Sequence, residues 1–184
     1  MTSSPRSIAR RLLTTAAALT LGGSLALVDT APAHATAYDT IVIKDRKNDT
    51  GYEPDYHFPD VIRTTYQHVG TGKDATLRVL VQLRKDVRWN RLDQLSFDAN
   101  RTQVHVYDAN DRGHYVLALW PRAPHGNERV CRVCGLKLNK DKRNVLMTIP
   151  YSKLGQPSSI KLGVLYIAQG LVQDRVAKPS RPLY

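Results

Sequence analysis

The strongest chemical signal in the chain is one tryptophan flanked by arginines, in a segment that reads RKDVRWNR over residues 84–91. The set consists of Arg84, Arg88, Trp89 and Arg91. An indole ring can stack on a sugar or a base while guanidinium groups hold phosphate or carboxylate. The alternative is a structural tryptophan that closes the end of a β-domain and is covered by arginine side chains. If the first interpretation holds, these four residues form a binding site for a polyanion.

A second candidate site is an acidic stretch between residues 45 and 60. Its oxygen-bearing side chains include Asp45, Asn48, Asp49 and Asp60. Calcium prefers several such oxygen ligands, and Gly51 would let the chain bend around an ion. The spacing is not that of an EF-hand. The alternative is a loop whose carboxylates cap backbone amides or pair with neighbouring basic residues. The sequence therefore suggests either a calcium ion in this loop or no cofactor at all.

The chain has two cysteines, Cys131 and Cys134. In an oxidising compartment we expect them to form a local disulfide, within a segment that reads as a hairpin. A zinc site would need a second ligand pair, and no second CxxC occurs. A redox motif would need the CxxC at the start of a helix, in an α/β pattern.

Signatures of catalysis are few. The sequence contains no Gly-x-Ser-x-Gly, His-Glu-x-x-His, phosphate-binding loop or dinucleotide fingerprint. His105 and His114 could approach each other across a hairpin and act as the catalytic pair of a basic ribonuclease. The alternative is that each is a strand residue with no catalytic role. The sequence favours a protein that is not an enzyme.

The first 35 of the 184 residues read as a secretory signal peptide. A basic start with Arg6, Arg10 and Arg11 precedes an apolar stretch over residues 12–28, and Ala33-His34-Ala35 forms a cleavage site. The apolar stretch is too short and too rich in Gly and Thr for a stable membrane span. We expect ordinary secretion rather than twin-arginine export, with residues 36–184 released as one soluble extracellular domain.

The chain is strongly basic, with a formal net charge of +11. Such a charge favours acidic partners such as teichoic acids, anionic glycans, lipid head groups or nucleic acid. The alternative is that charge only keeps the protein in solution. Residues 137–143 (KLNKDKR) concentrate this charge in what reads as a hairpin tip.

The elements that must position these residues are short strands, because apolar residues alternate with polar ones. The alternating segments are 38–44, 61–69, 75–83, 103–107, 114–120, 144–149 and 160–167. Leu77, Val79 and Val81 point one way, and Arg78 and Arg84 the other. Short strands separated by turn residues predict an all-β fold.

That fold is a single antiparallel β-sandwich of about eight strands, jelly-roll or immunoglobulin-like, with minimal helix. Helical turns are expected over residues 150–154 and 91–95, and an extended tail over residues 178–184. Trp120 is expected in the core or at its rim.

Four landmarks occur in order: residues 44–51 (KDRKNDTG), 59–62 (PDVI), 77–83 (LRVLVQL) and 149–157 (IPYSKLGQP). Their order resembles secreted actinobacterial β-sandwich proteins of unknown function. It is also distantly similar to sugar-binding sandwich modules of secreted glycosidases. The resemblance implies a β-sandwich fold and a carbohydrate ligand. It also implies that calcium is held by acidic residues of the opening loop, as in some of those modules.

Together these features predict a secreted, monomeric, non-catalytic module that binds an anionic extracellular or cell-envelope polysaccharide, or serves a structural role there. Two alternatives from other classes stay open. One is a small basic hydrolase such as a ribonuclease, and the other is a protease inhibitor that presents an exposed loop.

Overall fold

The computed structural model describes residues 39–46, 60–84, 94–122, 126–169 and 172–183, and all structural statements concern these. The strands are β1 (Asp39–Lys44), β2 (Val61–Val69), β3 (Thr76–Leu83), β4 (Gln94–Ala99), β5 (Thr102–Asp108), β6 (Tyr115–Pro121), β7 (Arg129–Val130), β8 (Gly135–Leu138), β9 (Asn144–Pro150), β10 (Leu165–Gln169) and β11 (Val172–Val176). Two 3-10 turns, η1 (Gly72–Asp74) and η2 (Tyr151–Lys153), complete the described elements. Within the described part of the chain, no helix has the length and apolar character needed to cross a bilayer.

The strands form two antiparallel sheets, which confirms the predicted β-sandwich. The five-stranded sheet has the order β1-β2-β3-β9-β8, and the six-stranded sheet has the order β11-β10-β4-β5-β6-β7. The described strands outnumber the expected eight because β7 and β8 are too short to show a period, and because β4 and β11 lie outside the alternating segments. Leu95, expected in the helical turn over residues 91–95, is a buried residue of β4. The turn expected over residues 150–154 is confirmed by η2.

The core lies between the sheets and follows from the alternation. Along β3 the inward residues Leu77, Val79 and Val81 have no exposed surface. From the six-stranded sheet, Phe97 meets Tyr66 of the five-stranded sheet edge to face, with ring centroids 6.2 Å apart. Burial of each such side chain stabilises the fold by about 1.5–3 kcal/mol relative to exposure. The pattern that buries one face of β3 necessarily presents its other face to solvent.

A disulfide joins the two sheets at one edge of the sandwich. Cys131 and Cys134 are bonded, with an S–S distance of 2.04 Å, as predicted. The predicted hairpin around them is wrong, because β7 pairs with β6 and β8 pairs with β9, in different sheets. The Cys131 N–H donates to the Leu117 carbonyl at 2.8 Å, which holds the start of the turn on β6. The disulfide therefore clamps the corner where the chain changes sheet.

A buried carboxylate joins the sheets at the other edge. Asp174 of β11 is 1 % exposed, and its Oδ2 accepts the N–H of Val61 at 2.6 Å. Val61 precedes a β-bulge, where Ile62 and Arg63 together oppose Gln82 of β3. Val61 itself pairs with Leu83 of β3, and its N–H donates to Asp174 of the other sheet, so this residue contacts both sheets at the bulge.

The C-terminal tail packs against the body of the sandwich. Leu183 is fully buried and exchanges two backbone hydrogen bonds with Ile160, at 2.8 and 3.0 Å. Arg181 binds both carboxylate oxygens of Asp39 in β1, at 2.6 and 2.7 Å. The described part of the predicted tail is thus anchored at two points.

Candidate polyanion-binding face

The outer surface of the five-stranded sheet carries a set of cations that the strand registers align. We call the outward-facing side chains of this sheet the basic face. The strand registers align them in three rows that run across the strands. The rows are Lys44–Arg63–Gln82–Asn144, Val42–Thr65–Leu80–Leu146–Lys137 and Thr40–Gln67–Arg78–Thr148–Gly135.

The basic face has charge of one sign only. Its cations are Lys44, Arg63, Arg78 and Lys137, and no outward position of the described strands of this sheet holds a carboxylate. Lys44 and Arg63 are direct cross-strand partners. Like charges placed opposite each other destabilise a sheet, so the fold offers no reason for this pair. An anion bound between them would remove the repulsion.

The neutral groups of the basic face suit a polymer that is not charged throughout. The central row is largely apolar, with Val42 51 % exposed and Leu80 and Leu146 half-buried. The outer rows present threonine hydroxyls and side-chain amides, and Gln82 Nε2 donates to Asn144 Oδ1 at 3.4 Å. Apolar, hydrogen-bonding and cationic groups thus alternate within one flat surface.

Arg84, predicted as a polyanion ligand, has a partner within the protein. Its Nε binds Oδ2 of Asp60, which was predicted as a calcium ligand. The Arg84 N–H also donates to the Asp60 carbonyl at 2.8 Å. The two predicted sites therefore meet in one ion pair, because the end of β3 lies beside the start of β2. Arg84 is thus a partner for a buried carboxylate, and its role as a polyanion ligand stays a prediction.

The calcium prediction stays a prediction. Asp45 follows β1 and Asp60 precedes β2, so the fold brings this end of both strands together. Asn48 and Asp49 lie outside the described residues. Across the ranges that the structure describes, no group of three or more His, Cys, Asp or Glu side chains is arranged to hold a metal.

Arg88, Trp89 and Arg91, the remaining residues of the predicted aromatic site, lie outside the described residues. The other tryptophan, Trp120, lies at the rim rather than in the core. It is 45 % exposed on the outer surface of the six-stranded sheet, and its Nε1–H donates to the Gly126 carbonyl at 2.6 Å. An anchored and half-exposed indole therefore lies on the opposite side of the sandwich from the basic face.

The histidine pair required by the hydrolase alternative does not form. His105 stands opposite Ala118, whereas His114 precedes β6 and is exposed. His105 is buried beside Trp120, with ring centroids 6.1 Å apart, and its Nδ1–H donates to Gln94 Oε1 at 3.1 Å. Burial lowers the pKa of His105, opposed in part by the carboxylates of Glu128 and Asp98. The folded protein thus favours the neutral form of the His105 imidazole.

Sequence reasoning placed Arg78 on the outward side of β3, which the burial pattern confirms. It missed Lys44, Arg63 and Lys137 as members of the same surface. The alternation along β1 and β2 marks Lys44 and Arg63 as outward, so this signal was available. The rows themselves depend on register between strands that are distant in sequence.

Comparison of the chain with protein-family models, with curated proteins and with solved structures gave no match. The candidate site therefore rests on geometry and charge.

Proposed function

We propose that the protein binds an anionic polysaccharide through the basic face, without catalysing its breakdown. The observation that carries this proposal is the set of four outward cations on one sheet, with no outward carboxylate among its described strands. Electrostatic attraction to such a surface favours an extended polyanion over a small neutral ligand.

The dimensions of the basic face suit a polymer. Five strands spaced about 5 Å apart give a surface about 20 Å across, and rows two residues apart are separated by about 7 Å. The apolar central row can pack against the C–H faces of sugar rings. The hydroxyl and amide groups of the flanking rows can hydrogen-bond sugar hydroxyls, while the cations pair with the acidic substituents.

The composition of the basic face favours binding over glycoside hydrolysis. A glycosidase needs two carboxyl groups on either side of the scissile bond. The outward positions of the described strands of this sheet hold none. We therefore place the polysaccharide on this surface as a ligand rather than as a substrate.

The proposal includes secretion and action as a monomer outside the cell. It is supported by the signal-like residues 1–35 and by the Cys131–Cys134 disulfide, a bond typical of oxidising compartments. The intact mass of protein from culture medium should correspond to a chain that begins at Thr36. A protein that keeps residues 1–35 would contradict this part of the proposal.

The test of binding uses secreted protein, polygalacturonate as the polyanion and dextran as the neutral polymer. The variant Arg63→Ala/Arg78→Ala should bind polygalacturonate about tenfold more weakly than wild type, with a shallower salt dependence. The control is Arg112→Ala/Lys161→Ala, which removes the same charge from exposed residues away from the basic face. The control should retain nearly all of the wild-type affinity.

Equal losses in both double variants would show that net charge alone drives binding and would contradict the proposed site. Binding of dextran as tight as that of polygalacturonate would contradict the requirement for an anion. Shortening of the polysaccharide during incubation would instead support the hydrolase alternative.

A further inference from the structure

A cavity of about 400 Å³ lies at the end of the sandwich where η1 and η2 meet. Its lining includes His68, Lys73, Ala75, Tyr151, Gln156 and Pro157. The two turns are joined below it, because the Tyr151 N–H donates to the Ala75 carbonyl at 2.9 Å. A cavity of this volume falls in the range of small-molecule binding sites.

A histidine–tyrosine pair forms the base of the cavity. His68 Nδ1 lies 2.6 Å from the Tyr151 hydroxyl, and His68 Nε2 lies 2.8 Å from the Gly70 carbonyl. A carbonyl can only accept, so Nε2 carries a hydrogen, and in the tautomer with its hydrogen on Nε2 the ring accepts the Tyr151 O–H at Nδ1. The Tyr151 oxygen therefore presents an acceptor, and not a donor, to a ligand.

The hydroxyl of Tyr151 keeps its proton over the whole physiological range. Burial, together with the negative charge of Asp39, raises the pKa of Tyr151 to about 12. Arg181 binds Asp39 through two short hydrogen bonds, which lessens the repulsion that this carboxylate exerts on an anion in the cavity. The base of the cavity is thus a fixed, hydrogen-bonding surface.

The wall opposite η1 is built from a constrained backbone. Gly155 and Gln156 both adopt positive φ, 86° and 49°. Glycine tolerates this conformation, but for Gln156 it is unfavourable, and such residues concentrate at ligand sites. The Gln156 N–H donates to the Tyr151 carbonyl at 2.7 Å, which holds the residue in place. The fold therefore fixes the backbone of Gln156 at the end of η2, where the residue lines the cavity.

The lining specifies the chemistry of the ligand. Lys73 supplies a positive charge, and no carboxylate occurs among the described lining residues. The acceptor oxygen of Tyr151 requires a ligand hydroxyl, and Gln156 and Ser158 can accept or donate. Ala75 and Pro157 offer apolar contact. A ligand with a carboxylate, several hydroxyls and an apolar ring face satisfies all of these groups.

We propose that this cavity binds a single acidic monosaccharide unit of the uronic acid class. The inference rests on the proposed function, because it assigns one residue of the same polysaccharide to the cavity. Arg78 lies on β3 two residues from Thr76, the position that pairs with Pro150 just before η2. A polymer on the basic face that extends one row further, by about 7 Å, reaches Thr76 and Pro150, the chain neighbours of the cavity residues Ala75 and Tyr151.

The test titrates glucuronate, glucose and acetate into the secreted protein by calorimetry or by NMR. Glucuronate should bind more tightly than either of the others, because only glucuronate combines the ring hydroxyls with the charge. Lys73→Ala should weaken glucuronate binding about fivefold or more. Tyr151→Phe should weaken it while keeping the ring that packs below the cavity.

The matched control is Lys153→Ala, an exposed lysine of η2 that does not line the cavity, and it should bind glucuronate like wild type. Equal effects of Lys73→Ala and Lys153→Ala would overturn the proposal, as would acetate binding as tightly as glucuronate. Arg63→Ala/Arg78→Ala should keep glucuronate binding while losing polygalacturonate. That result distinguishes binding in the cavity from binding on the basic face, so each of the two proposals can be contradicted independently of the other.

Discussion

Lys44 and Arg63 stand directly opposite each other on β1 and β2, with both side chains on the solvent side of the sheet. Two cations at such a position repel each other. The pair is therefore a local cost to stability, and under the proposed function this cost serves the capture of anions. This relationship leads to the first prediction.

Arg63→Gln should raise the free energy of unfolding by about 0.2–1 kcal/mol at low salt, because it removes the repulsion. The gain should shrink as salt screens the wild-type pair. Urea unfolding at low and high ionic strength measures both effects. Lys161→Gln, a change at an exposed lysine outside the strands, should have little effect. A loss of stability in Arg63→Gln at low salt would contradict the prediction.

Arg84→Ala should destabilise the fold by about 2 kcal/mol, because it leaves the buried Asp60 carboxylate without its cation. The Arg84 side chain is 33 % exposed, so solvent compensates for part of the loss. Arg122→Ala is the control, since its ion pair with Asp98 is more exposed and should contribute about 1 kcal/mol or less. Chemical denaturation compares the two variants.

The double variant Asp60→Ala/Arg84→Ala should lose less stability than the sum of the single variants, because both partners of the ion pair are removed together. Strict additivity would mean that the two side chains act independently.

Loss of the disulfide should lower the free energy of unfolding by about 2 kcal/mol, the value expected for so short a loop in the chain-entropy account. Cys131→Ala/Cys134→Ala tests this by denaturation, with reduced wild-type protein as a second measurement. The β-sheet circular dichroism should persist, because Cys131 and Cys134 pack only against the margin of the core and the buried residues between the sheets stay in place. Global unfolding on reduction would show that the corner is essential to the fold.

The stability of the protein should fall as the pH drops through the ordinary pKa of histidine, about 6.5. The pKa of His105 is lowered by burial, so the unfolded chain takes up this proton at a higher pH than the folded chain. The neutral His105 side chain therefore contributes to stability at neutral pH, and this contribution is lost on acidification. His105 Nε2 is buried and lacks a hydrogen-bond partner among the described residues, which leaves an added proton unpaired.

His105→Gln should flatten the dependence of the melting temperature on pH between about 7.5 and 5. His114→Gln, a change at an exposed histidine, should keep the wild-type dependence. Equal pH profiles for His105→Gln and wild type would assign the effect to another group.

Strands with a long alternating pattern could be predicted from the sequence. The expected segment 61–69 coincides with β2, because its inward and outward residues alternate after the bulge. β7, with two residues, is too short to display any period. The pairing of β7 and β8 with different sheets depends on contacts that the local sequence does not contain. The local CxxC pattern therefore predicted the disulfide, but it did not predict that the chain passes from one sheet to the other there.

The candidate site could be predicted only in part, for the same reason. The outward direction of Arg78 follows from the pattern of a single strand. The proximity of Lys44 to Arg63, and of Arg84 to Asp60, depends on which strands are neighbours. The cavity at Tyr151 requires two turns far apart in the chain to meet, and no motif marks them.

The ion pair between Asp39 and Arg181 ties the first described strand to the tail that follows β11. Two residues this close can be joined by a short linker. The sandwich is therefore suited to circular permutation, with new ends opened in the exposed β8–β9 turn near Lys140. It is equally suited to insertion as a unit into a surface loop of another protein, with little distortion of its host.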